Sequence, residues 1–178
     1  TCALPICQAN GSSSLATTYT VETDAGQRIV RVEGGDEGET LQISVDMGQI
    51  TDVGEPQNWS DLQCNPDRPV RHLSLGNPHS VVGVDDLDAV DLQKLGALVP
   101  QLNLEIVAAG PEIDAITMRV HERGAGITLA CGTGACAAAE AALAWGLVPA
   151  STPEVIVHMT GGDARVRIDL ASRTATLI

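Results

Sequence analysis

Residues 122–137 read Glu-Arg-Gly-Ala-Gly-Ile-Thr-Leu-Ala-Cys-Gly-Thr-Gly-Ala-Cys-Ala, a glycine-rich turn running straight into an alanine-rich segment, Ala135 to Trp145. Glycine is the residue of turns and alanine the strongest helix former, so this switch predicts a turn followed by a helix ending near Gly146. It also sets Cys131 at the helix start. A thiol there sits beside unpaired backbone N–H groups and the positive end of the macrodipole, and both favour thiolate over thiol. The flanking glycines let a small anionic ligand approach the backbone closely. Cys131 is the first candidate for chemistry, its plainer reading being a small buried hydrophobe.

The rest of the chain reads mostly as strands. Thr18–Thr23 and Arg28–Val32 alternate about a turn at Asp24-Ala25-Gly26, and Leu41–Met47 follows an acidic loop at Gly34–Gly38. Residues 51–68, rich in Pro, Asn, Asp and Gln, read as a linker. His72–Leu75 and Ser80–Val84 are strands interrupted at Gly76-Asn77-Pro78-His79, and Asp85-Asp86 opens a helix over about Leu87–Val99. Strands are expected at Asn103–Val107, Ala115–His121, Val155–Met159, Arg165–Ile168 and Thr174–Ile178. Many strands and two helices predict an α+β fold, with a mostly antiparallel sheet curled around a central helix.

Composition narrows the function. A net charge of −13 argues against a nucleic-acid or acidic-membrane surface, while ten Lys and Arg remain for local use. No apolar run approaches the ~20 residues of a membrane span, and no basic-then-apolar leader opens the sequence, which reads as soluble and cytoplasmic. The cysteines number five and do not have the spacing of a secreted disulfide framework. Cys131 and Cys136 lack a Cys-x-x-Cys or His-x-x-x-His partner for zinc, so no metal is expected. On a helix, positions five apart point about 140° away from each other, so these two cannot share one site. Cys136 reads as core.

Three further chemistries find little support in the sequence. Gly132-x-Gly134-x-x-Ala137 matches a loose dinucleotide fingerprint, and Glu154 lies at a tempting distance. The preceding segment, Gly124–Ala130, is not the buried hydrophobic strand that motif requires, and Glu154 precedes its strand. No Lys-Ser or Lys-Thr follows the glycines, so a phosphate-binding loop is excluded. Ser12-Ser13-Ser14 lacks a Gly-x-Ser-x-Gly elbow. Glu122-Arg123 reads either as a solvated charge pair or as a site element. Asn77 and His79 likewise read as turn residues or as ligands.

Taken together, Gly76-Asn77-Pro78-His79, Asn103 opening a strand, and Glu122-Arg123 through Ala-Cys131-Gly132-Thr133-Gly134-Ala resemble the diaminopimelate epimerase family from about Tyr19 onward. The resemblance implies a cofactor-independent isomerase that inverts the α-carbon of L,L-diaminopimelate to the meso form, for lysine and cell-wall synthesis. Two cysteines would face the substrate from opposite sides, one removing the α-proton as thiolate and the other delivering a proton as thiol. It implies Cys131, His79 and Glu122 as catalytic residues. Asn77, Asn103, Glu122, Arg123, Gly132 and Thr133 would bind substrate, with the α-carboxylate at the helix N-terminus. The partner expected is that small amino acid, with room for a homodimer of the complete protein.

The sequence departs from the family at three points. The other cysteine should stand in Cys-Gly-Asn-Gly, and the nearest approach is Cys7-Gln8-Ala9-Asn10-Gly11, which lacks the first glycine. The role is not carried onto Cys7. Ser80 stands where the family often has cysteine, and the family's closing Thr-Gly-Pro region is missing. Residues 1–50 are therefore expected to be the end of a first half-domain and 51–178 a second half-domain cut short at its end. Such a fragment should be inactive alone. Alternatives on the same fold are a proline-racemase-like or phenazine-pathway-like isomerase, or a non-catalytic half-domain.

Overall fold

The computed structural model describes residues 17–23, 26–33 and 41–178. Cys7, Ser12–Ser14, the Asp24-Ala25 turn and the Gly34–Gly38 loop lie outside the described residues. The described strands are β1 (Thr17–Thr23), β2 (Gly26–Glu33), β3 (Gln42–Gln49), β4 (Thr51–Asp52), β5 (Val70–Ser74), β6 (Pro78–Gly83), β7 (Asn103–Ala109), β8 (Ala115–Glu122), β9 (Gly126–Thr128), β10 (Val155–Met159), β11 (Gly162–Asp169) and β12 (Thr174–Leu177). Helix α1 (Leu92–Leu98) falls between β6 and β7, and α2 (Gly132–Trp145) between β9 and β10. The strands form one sheet ordered β1-β2-β3-β12-β11-β10-β8-β7-β6-β5-β4, with β9 beside β8.

Among the described strands only two neighbouring pairs are parallel, β6 with β7 and β8 with β10. A parallel pair needs a long crossover, whereas antiparallel neighbours close through short turns. The two helices lie in these crossovers, α1 from β6 to β7 and α2 from β8 to β10. The sheet wraps α2: residues 134–142 are all buried, and the helix packs on β5–β8 and β10–β12. Small alanine side chains let strands approach the helix from several sides. Gly146 ends α2 at φ 71°, a left-handed conformation that glycine adopts without penalty.

Strand alternation sorts the residues between the helices. Val81, Val107, Ile116, Met118 and Val120 join the α2 cluster, while Val82, Leu104 and Ile106 join a second cluster with Leu92 and Val99 around α1. Met47 and Ile50, just before the expected 50/51 division, belong to the α2 cluster as well. Mid-helix Glu140 accepts from Arg71 at 3.2 Å and Arg173 at 2.7 Å, and both arginines also hold Asp52.

Two local expectations change. Residues 51–68 are not an open linker: they hold β4 and a 3-10 helix, Trp59–Leu62, whose Trp59 and Leu62 are buried in the α1 cluster. The polar composition concealed two apolar anchors. The first helix is also shorter than expected, because Asp91 rather than Asp85-Asp86 caps it by accepting from the Lys94 N–H at 3.1 Å. Asp86 instead folds a local turn through the Asp88 N–H. No helix among the described residues is long and apolar enough to cross a membrane.

His158 on β10 binds Asp163 through Nδ1 at 2.8 Å and Glu112 through Nε2 at 2.9 Å. Those hydrogen bonds raise its pKa above the ordinary value, Glu112 contributing most. Stability from a raised histidine is fully present below the unfolded value, near 6.5, and is lost as pH rises through the folded value. Melting temperature should fall over that window, modestly because the carboxylates are solvated. His158→Ala should flatten that part of a melting-temperature series against pH. An unchanged slope would remove this ion cluster from the protein's pH dependence.

Candidate functional site

The same alternation assembles the site. On β7, Asn103 and Glu105 share the face of Val107, which packs toward α2; on β6, His79 shares the face of Val81. Parallel register sets His79 opposite Asn103, and Glu122 closes β8 on the face of Met118 and Val120. These polar residues thus gather where the sheet meets the start of α2.

Cys131 is the N-cap of α2, with extended φ −142° and ψ 112°, and its carbonyl accepts from the Ala135 N–H at 2.8 Å. Its Sγ lies 3.5 Å from Thr133 Oγ1, which in turn accepts from Asn77 Nδ2 at 3.2 Å. The helix-start N–H groups of Gly132 and Thr133 have no acceptor within the helix. Asn103 donates to the Pro78 carbonyl at 3.2 Å and accepts from the Arg123 N–H at 2.9 Å, tying the β6 entry to the turn after β8. Arg123 is exposed, and its guanidinium makes no ion pair among the described residues. Glu122 accepts from Thr128 Oγ1 at 2.6 Å across the β8–β9 hairpin, a strand pair within what the sequence presented as plain turn.

The sulfur's charge state differs from expectation. Cys131 is 2% exposed, and burial pushes its thiol up to about 12, with the charges of Glu105 and Glu122 adding to the rise. The Thr133 hydroxyl and the Gly134 N–H act the other way and are outweighed. The helix-start amide does reach the sulfur. Desolvation in a nearly dry site is the larger effect, so the resting group is a thiol. Cys136, on a turn of α2 facing the core, is fully buried as expected.

Glu105 is the residue that sequence reasoning missed. It has no exposed surface, and its Oε1 lies 2.6 Å from His79 Nδ1, itself 1% exposed. Burial raises its carboxyl above the ordinary range, against the opposing charge of His79. The signal was available, since Glu105 stands two positions after Asn103 and period-2 alternation keeps both on one face. Clefts of about 150 Å³ between β2, β3 and β12, and about 540 Å³ beside β10 and β11, are lined by none of the candidate site residues.

Comparison with known proteins gives the family. The diaminopimelate epimerase family pattern matches residues 72–174. A diaminopimelate epimerase from Desulforapulum autotrophicum is 36% identical over 174 residues, covering 86% of this chain and 59% of that protein. One from Bacillus cereus is 35% identical over 169 residues, covering 84% and 57%. The chain spans under three-fifths of these curated relatives' length. Among solved structures, a predicted epimerase from Pseudomonas aeruginosa superposes with TM-score 0.68 at 15% identity, over 93% of this chain and 64% of that one. A phenazine biosynthesis protein from Bacillus anthracis gives 0.59 at 16% identity, over 90% and 64%. These two share the fold; the sequence matches carry the assignment, and the chain belongs to the diaminopimelate epimerase family.

Proposed function

We propose that this chain is the Cys131-bearing part of an isomerase that interconverts L,L- and meso-diaminopimelate without a cofactor. The observation that carries the reading is the line from Cys131 Sγ through Thr133 to Asn77 at the start of α2, inside the family's signature. Cys131, at rest a thiol, is suited to deliver a proton to one face of the α-carbon. The opposite face needs a second cysteine, from the part of the family's length that this chain does not span.

In this reading the unpaired N–H groups of Gly132 and Thr133 receive the substrate α-carboxylate, favoured by the positive helix end. Asn77 and Asn103 add hydrogen bonds. The exposed Arg123 and half-buried Glu122 meet the charged far ends of a doubly zwitterionic substrate, which favours diaminopimelate over a smaller amino acid such as proline. His79 and Glu122 adjust the protonation of the sulfur. Burial excludes the water that would compete for the α-proton. The residues before β4 would close a first half and the remainder a second, with lysine and peptidoglycan precursor synthesis as the setting and the cytoplasm as the place.

The test is α-hydrogen exchange in D2O by a polypeptide completed to the family's length. Deuterium should enter the α-carbon of L,L-diaminopimelate as the meso isomer appears, and the 178-residue chain alone should do neither. Exchange with proline but not diaminopimelate would move the assignment to a proline-racemase-like activity. No exchange with any amino acid would favour a non-catalytic half-domain.

A further inference from the structure

Between the end of β9 and the N-cap of α2 stand only Leu129 and Ala130, both exposed, Leu129 by 65%. Burial does not hold this stretch in place, although Cys131 follows it directly. The end of the β10–β11 hairpin does. Gly161 donates its N–H to the Leu129 carbonyl at 2.8 Å, and among the described residues no other loop hydrogen bond reaches Leu129 or Ala130. The hairpin is itself anchored, since β10 lies beside β8 and buries Val155 and Val157 in the α2 cluster. Met159 pairs with Gly162, so Thr160 and Gly161 make the turn. The two glycines there serve different needs. Gly162 has φ 128°, which side chains rarely adopt, yet a Cβ on it would meet nothing within 4 Å. Gly161 is the reverse. Its φ lies outside the left-handed region, but a Cβ would stand 3.1 Å from Leu129 Cβ and O and 3.2 Å from the carbonyl carbon. Two of those atoms are backbone, so no side-chain rotation relieves the crowding. The bare Gly161 is what lets the hairpin come down on the segment leading to Cys131.

We infer that Gly161 is a positioning residue for Cys131: it fastens the segment that sets where the sulfur stands. Cys131 is the joint. Its backbone is extended, so its Sγ follows Leu129 and Ala130, whereas the N–H groups of Gly132 and Thr133 belong to α2 and follow the helix. A displaced segment therefore moves the sulfur relative to a carboxylate bound at the helix start. Reaction rate falls steeply with such misplacement, while binding at the helix amides is spared. The hold on the segment stands on geometry alone; its use in catalysis rests on the isomerase reading above. Gly161 acts only through Cys131.

Amide hydrogen exchange, followed by NMR on the 178-residue chain, reads this hold without any activity. In the wild type the Gly161 N–H should exchange about 10-fold or more slowly than an unbonded turn amide. Gly161→Ala and Gly161→Val should weaken that protection and shift the Ala130 and Cys131 amide resonances. Gly162→Ala strains the same hairpin without crowding Leu129, so it should lower melting temperature and leave both readouts alone. In the completed polypeptide, Gly161→Ala should lower kcat about 3–10-fold and Gly161→Val about 100-fold, with KM little changed. Gly162→Ala should keep the wild-type kcat. An unprotected Gly161 N–H in the wild type, or Ala130 and Cys131 resonances indifferent to both Gly161 variants, would overturn the inference. A kcat that merely tracks melting temperature across all three variants would assign Gly161 to hairpin folding instead. Should Gly161→Val not fold, the wild-type exchange and Gly161→Ala decide. A completed wild type without turnover would sink the isomerase reading and leave exchange and resonances to judge Gly161.

Discussion

Cys131→Ser in a polypeptide completed to the family's length is expected to cut α-proton exchange by about 10²–10⁴-fold, the range supplied by one positioned acid–base group. The substitution changes one atom, and serine is among the best N-cap residues, so the first turn of α2 should hold. What changes is proton affinity: a hydroxyl holds its proton far more tightly than a thiol, and burial at 2% exposure penalises its anion further. The hydrogen bond through Thr133 to Asn77 should survive, leaving substrate affinity nearly intact. Loss of exchange at unchanged melting temperature and KM would fit a proton-transfer role. Wild-type exchange would remove Cys131 from the mechanism.

Gly96→Ala is expected to be the most damaging small substitution for stability. On helix propensity alone it should help, since alanine is better than glycine in a helix interior by about 1 kcal/mol. Here the new Cβ would stand 2.1 Å from His121 Cγ and 2.4 Å from Nδ1, inside any tolerable contact. His121, on β8, is 8% exposed and lies against α1, so neither partner has room to move aside. The helix must lift from the sheet, at a net cost of about 1–3 kcal/mol or more, or roughly 3–10 °C in melting temperature for a domain of this size. His121→Ala in the same chain should recover most of the loss, and the double-mutant cycle would show strong coupling. Unchanged stability in Gly96→Ala alone would mean that α1 is not held on β8 as described.

Much of the architecture was legible in the residues. The alternating runs became β1–β3, β5–β8 and β10–β12, and the alanine-rich segment became α2, ending at Gly146. Strand and helix periods are local, and side-chain chemistry declares them. Where the reading failed, a tertiary contact outweighed local composition. Residues 51–68 looked like linker because Trp59 and Leu62 are isolated in sequence and find their apolar partners only across the fold. Asp85-Asp86 resembled a helix cap, yet Asp86 accepts from the Asp88 N–H in a local turn and Asp91 caps the helix instead.

The site divides in the same way. Residue type and order alone marked Cys131, Thr133, Asn77, Asn103 and Arg123, and the structure joins the first three through side-chain hydrogen bonds and the last two through a backbone one. What residue order could not reveal is dielectric. An amide-rich helix start argues for a thiolate, yet burial and the neighbouring carboxylates of Glu105 and Glu122 set the resting sulfur as a thiol. Desolvation depends on everything packed around an atom, most of it distant in the chain. Glu105 went unnoticed for that reason: a lone glutamate in an apolar strand acquires meaning only when the sheet folds it against His79 and the bare backbone of Gly134.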